Sequence, residues 1–233
     1  MIRGLFLTGT DTGVGKTVVA AALMHRYRKE LALRYWKPIQ TGIEQDDDTA
    51  TVRAVGMCRD EEILADGIRL KSAVSPHLAA RLSGTRITVE QVYGILASHS
   101  DQKVSWIIEG AGGALVPINE SEQMVDLARM LSLPVLVVAA TKLGTINHTL
   151  LTVEALRRRG LIIGGVVMVG ESNAQNCEAI ESYGAVSVLG QMPHFPELNS
   201  QTLEKWANTG LDKNGVLLAH LQLAHHALPH FRL

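Results

Sequence analysis

Short apolar runs alternate along this chain with longer stretches in which apolar residues recur every three or four positions. Leu5 to Thr8, Leu33 to Trp36, Val104 to Ile108, Val135 to Ala140, Ile162 to Val169 and Val186 to Leu189 are apolar segments bounded by glycine, proline or charge. That is the pattern of strands buried on both faces of a sheet. Between them, Thr17 to Leu31, the stretch from Thr49, Thr88 to Ser98, Met124 to Leu131, Asn147 to Arg159 and Ala174 to Tyr183 carry helical spacing. Local chemistry marks several helix ends. Arg26, Arg28 and Lys29, and later Arg157, Arg158 and Arg159, suit helix C-termini; Pro76 suits a first helical position; Thr88 with Gln91 has the spacing of a capping box. Ile68 to Leu70 reads as a short strand, Ile39 to Asp48 as a polar connection, and the region beyond Gln201 as one or two closing helices.

Strands and helices in alternation predict an α/β fold, a mainly parallel sheet with helices on both faces. No repeat, low-complexity tract or linker interrupts it, so residues 1–233 read as a single domain. Ligands of such sheets bind outside the carboxyl ends of the strands. The residues predicted there are the glycine loop after Thr8, Lys37, Glu109 with its glycines, and Lys142-Leu143-Gly144.

Composition narrows the function classes. Of 233 residues, 46% are hydrophobic and 19% charged, as in ordinary globular proteins, and 22 Lys and Arg balance 23 Asp and Glu. There is no global field to attract nucleic acid or an anionic membrane. The two cysteines, Cys58 and Cys177, lack metal-ligand or redox spacing and suit a reducing compartment, and no disulfide between them is expected. Neither a signal peptide nor a membrane span is visible, so the expected location is the cytoplasm.

The loop Gly9-Thr10-Asp11-Thr12-Gly13-Val14-Gly15-Lys16-Thr17 carries the clearest chemistry. It has the layout of a phosphate-binding loop, in which backbone N–H groups curl around phosphates, Lys16 supplies charge and Thr17 reaches Mg²⁺. The fold expected is therefore of the P-loop nucleoside triphosphate hydrolase type. The spacing is unusual, since Gly9 and Gly15 enclose five residues where the common motif has four. Nucleotide-bound Mg²⁺ takes hard oxygen ligands. Glu109, at the tip of a buried strand, is the best carboxylate, and a second comes from the run Asp46-Asp47-Asp48, among which periodicity does not choose. Gly110-Ala111-Gly112-Gly113 reads as a second phosphate cradle, and Lys37 as a cation near the loop. His77, His99, His148, His220, His225, His226 and His230 show no metal spacing.

Taken together these motifs resemble dethiobiotin synthetase. The resemblance rests on Thr8 to Thr17, Trp36-Lys37-Pro38-Ile39-Gln40-Thr41-Gly42, Ser75-Pro76-His77, Glu109 to Gly113, and Lys142-Leu143-Gly144-Thr145-Ile146-Asn147-His148, in that order. The longer loop is that family's normal spacing. The resemblance implies an ATP-dependent cyclo-ligase of biotin biosynthesis. Such an enzyme joins 7,8-diaminononanoate to CO₂ as a carbamate, phosphorylates the carbamate with ATP and closes the ring to dethiobiotin. It also implies roles. Lys37 and Lys16 would be catalytic, with Lys37 steadying the carbamate. Gly13, Val14, Gly15, Lys16, Thr17 and Val18 would wrap the phosphates. Thr17, Asp48 and Glu109 would hold Mg²⁺, which selects Asp48 from the acidic run. Glu109, Gly110, Ala111 and Gly112 would touch nucleotide, and Pro193, His194 and Phe195 would lie on the base side. Thr41 would contact substrate, and Gly144, Thr145, Ile146 and Asn147 would open a helix for the substrate carboxylate, supplied across a homodimer.

One position departs from the family pattern. An asparagine that reads the adenine edge is replaced here by Val169 in Met168-Val169-Gly170, which implies weakened discrimination among nucleoside triphosphates. The main alternative is a switch ATPase of the partition and septum-positioning type. Those proteins carry a second lysine where this chain has Asp11. A cobyrinate-type amidation ligase would need a glutaminase half for which the chain has no room.

Overall fold

The computed structural model describes residues 2–99, 101 and 103–223. In chain order the elements are β1 (Arg3–Gly9), α1 (Lys16–Tyr27), β2 (Leu33–Trp36), β3 (Ile39–Thr41), α2 (Asp48–Val55), β4 (Ile63–Leu64), β5 (Ile68–Leu70), α3 (Pro76–Leu82), α4 (Val89–Ser98), β6 (Ser105–Gly113), α5 (Met124–Leu131), β7 (Val135–Ala140), α6 (Thr145–Arg157), β8 (Ile163–Val169), α7 (Ala174–Gly184), β9 (Val188–Met192), α8 (Ser200–Gly210) and α9 (Val216–Gln222). Seven strands form one sheet in the order β4-β2-β6-β1-β7-β8-β9, parallel throughout. Strand order reverses around β1, which lies between β6 and β7. The crevice outside its carboxyl end is therefore the place where an α/β sheet holds a ligand.

Side-chain alternation divides the core into two layers. Leu5 and Leu7 of β1, Tyr35 of β2 and Ile107 of β6 pack with Val19, Leu23 and Tyr27 of α1, Leu203 of α8 and Leu217 of α9. Phe6, Trp36, Trp106 and Ile108 point the other way, into a layer with Ala79, Val92, Leu127, Leu156 and Ile180 from α3 to α7. Burying both faces is what lets the strands be continuously apolar. Cys58 and Cys177 are free and fall in different layers. A buried carboxylate, Asp212, joins α1 to α9 within the first layer: it accepts from the Tyr27 hydroxyl at 2.5 Å and from the Leu217 and Leu218 amides at 2.9 and 3.3 Å. It thereby caps the open N–H groups of α9.

Several boundaries differ from the sequence expectation. Ile39–Thr41, expected within a polar connection, is a strand that pairs with β5, Ile39 opposite Ile68. Three residues are too few to display alternation, so only the partner reveals it. Glu109 is not a strand tip. Strand β6 runs on through Gly113, with Glu109 opposite Leu7 and Gly113 opposite Gly9. The glycines after Glu109 are therefore part of β6, whose ladder with β1 is irregular between Leu7 and Gly9. The last strand runs Val188–Met192, two residues later at its start than expected, and its ladder with β8 has an irregularity between Val166 and Val167. The Thr88 and Gln91 capping box is present, and α3 starts with Pro76 at its first position. His225, His226 and His230 lie outside the described residues.

Candidate active site

Strand β1 delivers the chain into a loop that returns as α1. Gly15, the residue before the helix, has φ of 95°, a left-handed conformation that a side chain disfavours. The first turn of α1 contains no acidic residue and its N-cap makes no side-chain hydrogen bond. Its free N–H groups and the positive end of the helix dipole are thus open to an anion. Lys16 is buried, and its ammonium donates to the Asp11 carbonyl at 3.1 Å. Burial, followed by the charge of Lys37, lowers the Lys16 pKa to about 8. A polyphosphate at the loop would reverse that shift by stabilising the charged form.

Beside the loop, four polar side chains meet, from α1, α2, β6 and the connection between β2 and β3. The Thr17 hydroxyl lies 2.8 Å from Asp48 Oδ1 and 3.0 Å from Glu109 Oε1. Lys37 Nζ lies 2.5 Å from Asp48 Oδ2 and 2.8 Å from Glu109 Oε1, and donates to the Gly110 carbonyl at 3.3 Å. Lys37 and Glu109 are only 3% and 0% exposed, so their charges are out of reach of bulk water and need each other. For Lys37, burial alone would lower the pKa, but the Glu109 and Asp48 carboxylates outweigh it and raise it. The group is an ammonium at neutral pH. Burial would raise the Asp48 carboxyl, but Lys37 holds it below the usual carboxylate range.

The acidic run is sorted by the fold. Asp46 is exposed, Asp47 caps α2 by accepting from the Ala50 amide, and Asp48 turns into the cluster. One participant was absent from the sequence reading. Tyr35 donates its hydroxyl to Glu109 Oε2 at 2.8 Å, and burial together with the Glu109 and Asp48 charges raises its pKa well above the usual phenol range. The signal was available in principle, since Tyr35 sits two residues before Lys37 and on the same strand face. An aromatic in an apolar run reads simply as core.

The other sequence candidates lie outside this cluster, and Thr41 ends β3, which pairs with β5 in a separate two-stranded sheet. Gly144 precedes α6 beyond the end of β7, with φ of 94° and no side-chain cap. Among the described residues no hydrogen bond joins Thr41 or residues 144–147 to Lys37, Asp48 or Glu109. Pro193, His194 and Phe195 follow β9. A Cβ placed on Gly170 would stand 3.4 Å from His194 Nε2, and one on Gly15 would stand 3.1 Å from Val169 Cγ1. Val169 and His194 thus flank the loop on the side away from Lys37.

A hydroxyl and two carboxylates on one side of a phosphate loop form a hard oxygen donor set suited to Mg²⁺. It is a partial shell, the kind completed by phosphate oxygens and water. No group of three His, Cys, Asp or Glu side chains is placed to hold a metal among the described residues.

The chain is similar to known proteins over most of its length. The AAA domain family matches residues 3–202. The ATP-dependent dethiobiotin synthetase BioD of Agrobacterium fabrum is 42% identical over 199 residues, covering 85% of this chain and 90% of that protein. The enzyme of the same name from Paramagnetospirillum magneticum is 44% identical over 202 residues, covering 87% and 93%. Among solved structures, a ParA family ATPase from Chlorobium tepidum superposes with a TM-score of 0.56 at 10% identity, covering 88% of this chain and 98% of that one. The septum site-determining protein MinD of Pyrococcus horikoshii gives 0.55 at 15% identity, covering 89% and 95%. At such low identity the structural likeness establishes the P-loop fold alone. The sequence likeness, spanning nearly the whole of each relative, is specific: the chain belongs to the ATP-dependent dethiobiotin synthetase family.

Proposed function

We propose that the protein carboxylates and cyclises 7,8-diaminononanoate to dethiobiotin, using ATP and CO₂ or bicarbonate. The observation that carries this reading is a permanently charged Lys37, held beside the phosphate loop by Asp48 and Glu109. A carbamate and a triphosphate are both anionic, and bringing them together requires fixed positive charge where negative charge develops. Lys37 acts there as a charge rather than as a base. Residues Gly13 to Val18 hold the phosphates through backbone N–H groups, and Lys16 neutralises them. Thr17, Asp48 and Glu109 would hold Mg²⁺, which supplies Lewis-acid neutralisation of the phosphate oxygens when bound. The carbamate oxygen takes the γ-phosphoryl group, and the second amine then displaces phosphate to close the cyclic urea.

Thr41 and the start of α6 complete the reading on the substrate side. The uncapped N–H groups after Gly144 suit a carboxylate. Leu143, just before them, is fully exposed, and Leu151 on the same helix is 56% exposed. These apolar residues support a homodimer in which α6 serves the partner's site. Among the described residues no helix is long and apolar enough to cross a membrane. A cytoplasmic location is part of the same proposal.

Phosphate release measured with and without the diamine and bicarbonate tests the assignment. Turnover should require both. Hydrolysis indifferent to either would favour the switch-ATPase reading instead.

Base recognition is expected to be loose. Val169 stands against the loop at Gly15 and has no side chain able to hydrogen-bond a base edge, leaving backbone and His194 for that task. Steady-state assays with ATP, GTP and CTP should give kcat/KM values within about tenfold of one another, since one hydrogen bond to a base edge is worth about 0.5–1.5 kcal/mol net, which is about tenfold at most. A preference for ATP of several hundredfold would contradict this.

A further inference from the structure

Tyr35 and Glu109 meet diagonally at the end of the β2–β6 ladder. Tyr35 is opposite Ile107, so Glu109, two residues further along β6, projects from the same face toward α1. Both side chains are fully buried, Tyr35 and Glu109 each at 0% exposure. The two carboxylate oxygens have different partners. Oε1 is 3.0 Å from the Thr17 hydroxyl and 2.8 Å from Lys37 Nζ, whereas Oε2 accepts the Tyr35 hydroxyl at 2.8 Å. Among the described residues no second donor reaches Oε2.

We infer that Tyr35 is a positioning residue that fixes the Glu109 carboxylate, so that Oε1 alone is presented to Thr17, Lys37 and a divalent cation. The inference rests on the reading of Glu109 as a metal ligand. A carboxylate without that anchor could rotate about its final bond and exchange its oxygens. With the hydroxyl removed, Oε2 would be a buried acceptor lacking a partner, and the group would turn toward Thr17 or Lys37 to recover one. A residue that orients a ligand in this way typically changes metal affinity by roughly 10–100-fold when lost. Phenylalanine keeps the ring and its packing against the α1 layer, so the hydroxyl can be removed separately from the core.

The test is Mn²⁺ binding followed by electron paramagnetic resonance, with ADP present, for the parent protein, Tyr35→Phe and Glu109→Gln. Tyr35→Phe should weaken Mn²⁺ about tenfold, and should raise the Mg²⁺ concentration for half-maximal turnover by the same factor while kcat at saturating Mg²⁺ falls less. Glu109→Gln should weaken Mn²⁺ further. If Tyr35→Phe proves poorly stable, the upward shift in its unfolding midpoint on adding Mn²⁺ and ADP still reports affinity. A purely structural Tyr35 would lower the metal-free midpoint and leave that shift at the parent value. Unchanged Mn²⁺ affinity in Tyr35→Phe, with a loss in Glu109→Gln, overturns the positioning role alone. Unchanged affinity in both overturns it together with the ligand role of Glu109.

Discussion

Replacing Lys37 with alanine should lower turnover by about a hundredfold to a thousandfold, while nucleotide affinity moves by no more than about threefold. The two effects separate because the two lysines occupy different places. Lys16 contacts the phosphate loop itself, donating to the Asp11 carbonyl, whereas Lys37 contacts only carboxylates and the Gly110 carbonyl beside it. A charge that acts where the carbamate meets the γ-phosphate is used in the transition state more than in the nucleotide complex, so its loss appears in kcat. The metal side reinforces this. Without the ammonium, Asp48 and Glu109 keep only the more distant charge of Lys16, and a divalent cation should bind them more readily rather than less. Steady-state kinetics and a nucleotide titration monitored by fluorescence measure both quantities. Parallel losses in affinity and turnover would make Lys37 a phosphate anchor instead. Breaking a buried pair costs about 3–5 kcal/mol in favourable geometry, so folding of the variant should be checked with Mg²⁺ and nucleotide present.

A second large effect is expected far from any ligand. Gly4→Ala should destabilise the protein by more than about 4 kcal/mol, a magnitude reserved for defects that the structure cannot relax. Gly4 has φ of 147°, and a Cβ there would collide with the Trp106 carbonyl oxygen and lie within 2.8 Å of its carbonyl carbon and amide nitrogen. These are backbone atoms of β6, fixed by the register that pairs Gly4 with Trp106. The strand would have to move away from β1 at the centre of the sheet, with the phosphate loop at the end of one strand and Glu109 on the other. Urea unfolding gives the number, or soluble yield if the variant does not fold. Gly94→Ala is the matched control: Gly94 is exposed on α4 with open space around its Cβ position, so alanine should be neutral or stabilising by about 0.5–1 kcal/mol. A Gly4→Ala variant within about 1 kcal/mol of the parent would show that the β1–β6 pairing is softer than its geometry states.

Most of the elements were legible from periodicity because each is long enough to display it. Met124 to Leu131 matches α5 residue for residue, Val135 to Ala140 matches β7, and the Thr88 capping box forms as its spacing indicates. Legibility failed where an element is short or where pairing decides. Strand β3 has three residues and β4 two, and each exists because a neighbouring strand offers a ladder edge. The continuation of β6 through Gly113 was hidden for a related reason. Glycines after a charged residue look like a turn, yet here they continue β6 through a bulge, and the ladder with β1 resumes at Gly113 opposite Gly9.

The phosphate loop, the lysine that follows it and the acidic candidates were visible as residue types at telling spacings, because a glycine loop entering a helix is a local structure. The sequence by itself determined the alternating architecture, the loop and, through several motifs in order, the family. Periodicity left the three aspartates equivalent and the resemblance pointed to Asp48; only the tertiary structure decided that Asp48 and Glu109 clasp Lys37 and that Tyr35 holds the far oxygen of Glu109. The contacts of Glu109 join residues 74 and 72 positions apart. Helix and strand periodicity describes neighbours along the chain, whereas a buried ion cluster depends on strand order and register, which bring distant residues onto one face of one sheet.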